Sequence, residues 1–472
     1  MDHRTYASPF SWRYGRAELR SLFSEQRRRE LWRAVWVALA EAQASHGLIA
    51  QAELDDLRAH AGDIDIEAAL AIEREIHHDL MAEIRLFASQ AKRGGGKLHL
   101  GATSMDVEDT VETYRLRLAL SYVGSNLHEL LGGFSVKIRA YSDLICMGYT
   151  HLQPAEPTTL GYRFASYAQD LLVDNDQLRF VFNNLTTKGL RGAVGTAASY
   201  ERLLGETGGS AEMEAYVLEK FGLTAREIST QTYPRKLDYL LLSALAGLGA
   251  SLSKFAADVR VLASPGFGEL GEPFAQSQVG SSVMPFKQNP ILSERIDSLA
   301  RLLPGYADVT WQNAATNLLE RTLDDSANRR VVLPEALLCA DELVTLARTV
   351  IEGLRVEERR IAENVRTYAP FSGTQAVMLE AVRSGGDRQL MHEALRNASM
   401  EAWEAVRRGD ENPLARLLAE TAELTALVEP AKIRRLLDPS SHVGTAPQRA
   451  RLLADRIGVL EPFPRQAEVR VT

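Results

Sequence analysis

The chain has 472 residues, 45% of them hydrophobic and 25% charged, the balance of an ordinary soluble globular protein with material for about three domains. Its 54 Lys and Arg against 62 Asp and Glu leave a formal charge of -8, so no global basic field argues for nucleic acid, and any anionic ligand needs a local cluster. The two cysteines, Cys146 and Cys339, are too few for a disulfide framework and lack metal-ligand spacing, which fits a reducing cytosol.

The N-terminal stretch MDHRTYASPFSWRYGR has no apolar leader segment, and no run of about 18 apolar residues follows, so the expectation is a cytoplasmic chain with no membrane span. Apolar residues recur at gaps of three and four, and period-two alternation is nearly absent, which predicts an all-α fold. The first hundred or so residues read as shorter helices, broken at Arg93 to Gly96. From Val111 to Tyr141, Leu116, Leu120, Val123, Leu127, Leu130, Phe134, Ile138 and Tyr141 form one stripe on a helix of roughly 45 Å, with Gly132 and Gly133 as its candidate bend.

A turn is expected at Gln153 to Pro157. A second stripe runs through Leu237, Leu241, Ala244, Leu248, Leu252, Phe255, Val259 and Leu262, beside small residues, Ala246, Gly247, Gly249 and Ala250, that permit close helix packing. Further breaks fall at Ser264 to Pro273 and around Pro413 and Pro439. The expected organisation is three helical domains, residues 1–103, 104–356 and 357–472, with a long central helical bundle in the second. Helices this long suggest side-by-side association with copies of the same chain.

Four stretches carry candidate chemistry. HHDLMAEI and KLHLGATSMDVEDT bring His78, Asp79, Thr103 and Ser104, with His77 read as an exposed helix residue. GYTHLQPAEPTT holds His151, and a lone histidine is usually structural. GSSVMPFKQNPILSER, Gly280 to Arg295, interrupts two apolar patterns with hydroxyls, Lys287, Asn289 and Glu294. A solvated loop leading into a helix capped at Asn289 and Pro290 explains the Asn-Pro pair but not Ser281, Ser282 and Lys287 together. In ERTLDDSANRR, Arg321, Ser326 and Arg330 fit a phosphate cradle, because guanidinium forks take phosphate oxygens in pairs. A salt-bridged surface using Asp324, Asp325 and Glu320 fits as well. GFGELG, Gly266 to Gly271, matches a dinucleotide pattern but follows an apolar helix without a strand, and is read as a hinge.

The Gly280 to Arg295 stretch resembles the signature loop of the fumarase, aspartase and argininosuccinate lyase superfamily, in the form seen in adenylosuccinate lyases, and the likeness runs from about Ser11 to Gly444. It implies Ser281 as general base, Lys287 and Asn289 on substrate carboxylate with Ser282 and Met284 beside them, Glu294 as partner of the catalytic His151, and His151 as general acid. It further implies Thr150 and Thr158 as donors to substrate oxygens, and His78 and Asp79 holding the purine base and orienting the leaving group. Thr103, Ser104 and Gln231 would grip the succinyl carboxylates and Arg295 the ribose, while Arg321, Ser326 and Arg330, helped by Arg13 and Tyr14, would hold the phosphate. Gln288, Leu292 and Ala197 depart from the closest branch, and position 77 lacks the arginine common in the family.

The activity so implied is a carbon-nitrogen lyase of purine biosynthesis, eliminating fumarate from adenylosuccinate to give AMP and from SAICAR to give AICAR, without cofactor or metal. The implied assembly is a homotetramer with composite active sites. A related lyase acting on another succinyl or nitrogen-bearing acid, and a catalytically retired structural oligomer, are the rival readings.

Overall fold

The computed structural model describes residues 4–205, 209–275, 277–284 and 286–469. The helices that build the bundle and its main cleft are α1 (Glu25–Ser45), α2 (Asp79–Gln90), α3 (Ser104–Ala140), α4 (Leu160–Asn184), α5 (Lys236–Ala263), α6 (Ile291–Ala300), α7 (Leu302–Thr316), α8 (Ser326–Gly353) and α9 (Ala446–Gly458). The fold is all-α, as the apolar periodicity requires.

The 37-residue α3 is the axis of the bundle. Thr103 caps it, its N–H donating to Asp106 Oδ2 at 2.9 Å, and the helix continues without a break through Gly132 and Gly133. The stripe from Leu116 to Ile138 is fully buried, where α3 packs on α4, α8 and α9. Phe134 meets Phe255 of α5 edge to face at 5.1 Å between ring centres. Close packing depends on small residues at two points. A Cβ on Gly124 of α3 would lie 2.3 Å from the Phe463 ring, and one on Gly249 of α5 would lie 2.8 Å from Leu303 Cδ1.

Helix α5 reaches a mean hydropathy of 1.5 over 18 residues, and 44% of that window is buried. It packs against α4, α6, α7 and α8, the setting of a core helix. One face, with Ser243, Gly247 and Ala250, remains exposed.

Two local expectations are corrected. Gln153–Thr159 is a strand, β2, paired antiparallel with β1, Ile145–Thr150, so the proline-rich stretch is one arm of a hairpin rather than a turn. Pro154 and Pro157 hide it from a periodicity reading, yet a two-stranded ribbon tolerates prolines because both of its strands are edges. The hinge at GFGELG ends in a two-residue strand, β3 (Leu270–Gly271), paired with β4 (Arg355–Val356), which ties the loop ahead of α6 to the end of α8.

Beyond the helix Glu358–Ser372, residues between Val377 and Leu437 form a second, smaller apolar core. The chain then returns to the main bundle, where α9 packs on α3 and α4. Near the N-terminus, Glu83 of α2 is fully buried between Arg29 and Arg33 of α1, at 2.8 and 2.7 Å. This ion triplet fixes α2 against α1, so the first residues of α2 face one side of the bundle in a fixed register.

Candidate active site

A cleft of about 550 Å³ opens between α1, the N-termini of α2 and α3, and the segment leading into α8. It gathers His78, Asp79, Thr103, Ser104, Gln231, Arg321, Ser326 and Arg330, which are far apart in the sequence. His78, Asp79, Thr103, Ser104 and Ser326 sit at helix starts, while Gln231 and Arg321 come from the segments ahead of α5 and α8. His78 is the N-cap of α2, its Nδ1 accepting from the Met81 amide at 3.4 Å, which leaves Nε2 as the proton-bearing nitrogen of the neutral ring. Thr103 and Ser104 open α3, and Ser326 opens α8. Three helix N-termini thus point positive ends at one space, which suits an anionic ligand. His77 ends the preceding helix at φ 56° and lies on the cleft rim.

The floor is a buried chain of charges. Arg321 Nη1 lies 2.7 Å from Asp325 Oδ1, and Arg235 Nε lies 2.7 Å from Asp325 Oδ2. Arg235 Nη1 also meets Asp109 Oδ1 at 3.1 Å, and Asp109 Oδ2 accepts the Tyr233 amide at 2.8 Å. Burial alone would raise the Asp325 carboxyl, but Arg235 and the hydrogen bond from Arg321 hold it below the usual carboxylate range. Arg321 is therefore aimed by a carboxylate that is itself fixed. Arg329 is consumed by the same scaffold, with Nε 2.7 Å from Asp238 Oδ2 and Nη2 donating to the Tyr233 hydroxyl at 2.6 Å. Arg330, one residue on, has a side chain 53% exposed and reaches Asp79 Oδ2 at 2.8 Å.

Several lining residues carry charge that the sequence reading left unassigned: Arg28, Glu73, Glu108, Glu112 and Arg115. The helical spacing Ser104, Glu108, Glu112 puts all three on one face of α3, a polar stripe in an otherwise buried helix that the sequence does display. Partial burial, with the Asp79 and Asp109 charges adding to it, pushes the Glu108 carboxyl up to about 8, against the pull of Arg28 and Arg330. At neutral pH it is an uncharged donor and adds no further negative charge to a cleft already lined by Glu25, Glu73, Asp79, Asp109 and Glu112.

The remaining sequence-derived residues lie outside this cleft. Ser281, Ser282, Met284, Lys287 and Asn289 sit on an accessible loop ahead of α6, within which Pro285 is outside the described residues. Ser281 Oγ accepts from the amides of Val283, at 3.3 Å, and Met284, at 3.1 Å. Asn289 Nδ2 donates to the Gly280 carbonyl at 3.0 Å and closes the loop; it does not cap α6. The cap comes from Glu272, whose carboxylate accepts the Leu292 and Ser293 amides at 3.0 and 2.6 Å. Glu294 and Arg295 project from the first turn of α6. Of the departing residues, Gln288 accepts from Arg355 Nη2 at 2.9 Å, and Ala197 adopts φ 55° ahead of the helix Ala198–Leu204.

His151 is at the tip of the β1–β2 hairpin at φ 54°, with Leu152 at φ 60°, and among the described residues it makes no hydrogen bond or ion pair. Thr150 and Thr158 line a shallow depression below it with Phe371 and Ser372. Arg13 stacks against Tyr14 at 5.8 Å, beside α8, where the next residue, Gly15, donates to Glu342 at 3.0 Å. Within one chain, then, the Ser281 loop, the His151 hairpin and the cleft around Arg321 and Arg330 form separate patches. Among the described residues no group of His, Cys, Asp and Glu has the arrangement of a metal site.

A family model described as Lyase matches residues 14–305, and one described as Adenylosuccinate lyase C-terminus matches residues 370–451. An adenylosuccinate lyase of Schistosoma mansoni is 36% identical over 94% of this chain and 93% of its own length. One of Schizosaccharomyces pombe is 34% identical over 95% of this chain and 94% of its own. Among solved structures, a fumarate lyase from Mesorhizobium sp. BNC1 superposes with a TM-score of 0.82 at 23% identity, covering 96% of this chain and 99% of its own. A 3-carboxy-cis,cis-muconate lactonizing enzyme from Pseudomonas putida gives 0.82 at 24%, covering 95% and 99%. At these identities the structural neighbours speak for the fold alone.

Proposed function

The chain belongs to the adenylosuccinate lyase family, and from that premise we propose that it eliminates fumarate from adenylosuccinate, releasing AMP, and from SAICAR, releasing AICAR. The supporting observation is the cleft itself: Arg321, Ser326 and Arg330 stand in one space with Thr103, Ser104, His78 and Asp79. The guanidiniums and a hydroxyl suit a phosphate, and hydroxyls at helix N-termini suit a succinyl carboxylate.

In this reading Ser281 removes the proton from the carbon β to the leaving nitrogen, the electron pair becomes the fumarate double bond, the carbon-nitrogen bond breaks, and His151 protonates the departing nitrogen. The intermediate is a dianionic aci-carboxylate, which needs fixed donors and positive charge; Lys287, Asn289 and the loop amides supply them. The two amides aimed at Ser281 Oγ favour its alkoxide. Ser282, Met284, Thr150, Thr158, Gln231 and Arg295 complete the substrate contacts, Glu294 partners His151, and Arg13 and Tyr14 extend the phosphate subsite.

The working unit is a homotetramer in the cytoplasm whose sites are each completed by neighbouring copies. Two features support this: the base loop, the His151 hairpin and the cleft lie apart within one chain, and α5 leaves the small-residue face of Ser243, Gly247 and Ala250 exposed. The decisive assay follows the absorbance change with adenylosuccinate, alongside argininosuccinate and aspartate, with fumarate identified chromatographically. Fumarate and AMP from adenylosuccinate alone are expected. A folded, associated protein releasing neither would overturn the substrate assignment.

A further inference from the structure

Asp79 Oδ2 is shared unequally by two arginines. Arg330 Nη2 holds it at 2.8 Å, while Arg28 Nη1 stands off at 4.0 Å, beyond hydrogen-bond reach. The two cations differ in freedom. Arg330 has a side chain 53% exposed and is the fifth residue of α8, with solvent beside it. Arg28 is only 15% exposed, its guanidinium lies 4.7 Å over the Trp32 ring, and its Nη2 is held by Glu25 at 2.8 Å. Its Nε is buried with no hydrogen-bond partner among the described residues, so the guanidinium has donors unused.

We propose that Arg28 is a positioning residue that takes over the Asp79 carboxylate when Arg330 turns to the phosphate of a bound nucleotide. This rests on the reading that Arg330 is a phosphate ligand. An Asp79 stripped of Arg330 would otherwise stand as a largely buried anion beside Glu108 and Asp109, which opposes release of the arginine. A shift of Arg28 by about 1 Å brings it within hydrogen-bond range and replaces the lost charge. The exchange keeps the Asp79 carboxylate paired and oriented while Arg330 is transferred to the ligand. A guanidinium that only packs on Trp32 predicts no such coupling.

The experiment is calorimetric titration of the full-length enzyme with AMP, for the unmodified protein and for Arg28→Gln, Arg28→Lys, Asp79→Asn and the Arg28→Gln/Asp79→Asn double variant. Arg28→Gln should weaken AMP binding about tenfold, within the usual range of coupling between sites, and Arg28→Lys should recover part of that loss by restoring the charge. In the Asp79→Asn background the Arg28→Gln effect should vanish, because a neutral amide needs no replacement cation. Arg28→Gln binding AMP as tightly as the unmodified enzyme, or losing the same factor in both backgrounds, overturns the exchange. No AMP binding by the unmodified enzyme removes the phosphate reading, and the exchange falls with it.

Discussion

Arg330 and Asp79 are paired across the cleft, Nη2 to Oδ2, at 2.8 Å, so a guanidinium placed to meet a phosphate is held by a carboxylate. Binding must therefore break an ion pair before it makes one. Asp79 is only 12% exposed, so breaking the pair leaves a largely buried carboxylate, a cost that a guanidinium-phosphate fork inside the cleft must offset. Arg330→Gln should lower kcat/KM for adenylosuccinate by about 10- to 100-fold, the worth of one charge-assisted hydrogen bond, with the larger part in KM. A fall in kcat at unchanged KM would move Arg330 from ground-state binding to the chemical step.

Ser281 presents a second testable geometry. Its Oγ already accepts two amide hydrogens, at 3.3 and 3.1 Å, on an accessible loop whose form does not depend on the side chain being a base. Ser281→Ala should keep the helical circular dichroism and the thermal midpoint while losing at least about 100-fold in turnover. Near-normal turnover in that variant would falsify the assignment of the base.

The separation of Ser281 from His151 within one chain makes a prediction about assembly. Ser281→Ala and His151→Ala should each be inactive alone. Mixed under conditions that exchange subunits, they should form some sites in which the base of one copy meets the acid of another, and activity should reappear. If mixed oligomers verified by mass spectrometry stay as inactive as either parent, the two residues serve the same chain or neither serves the reaction.

Much of this was legible in the sequence because the physics is local. The stripe from Leu116 to Ile138 has the helical period, and all its members are buried in α3. The shared face of Ser326 and Arg330 follows from their spacing once α8 begins at Ser326, whereas Arg321 lies in the non-helical segment ahead of it and is aimed by Asp325. What local reasoning missed has two causes. Strand β2 carries Pro154 and Pro157, which suppress the strand signal although an edge ribbon accommodates them. Arg28 gained significance only through tertiary packing: the buried Glu83 triplet sets α2 against α1, and that register brings Asp79 beside Arg28. Nothing in the segment around Arg28 distinguishes it from Arg27 or Arg29.

Glu108 gives the last prediction, with a definite sign. Its carboxyl has an ordinary value of 4.5 and is raised to about 8 in the fold, first by burial and then by Asp79 and Asp109. Between these values the unfolded chain has released a proton that the folded chain keeps, so stability falls as pH rises from 4.5 to about 8 and the loss levels off above it. Glu108→Gln has no proton to lose. Its stability relative to the unmodified enzyme, measured by urea unfolding, should therefore climb steadily from pH 5 to pH 8 and then stay level. Activity should follow the same group from the other side. The ionised carboxylate repels an anionic substrate, so kcat/KM of the unmodified enzyme should fall above about pH 8, and Glu108→Gln should lack that limb. The groups facing the carboxyl are Asp79, Asp109, Arg28 and Arg330, so the shift should grow when Arg330 is removed and shrink in Asp79→Asn. A stability difference that does not vary between pH 5 and pH 8 would mean that Glu108 is ionised in the folded protein throughout, and that the cleft receives its anion against a standing negative charge.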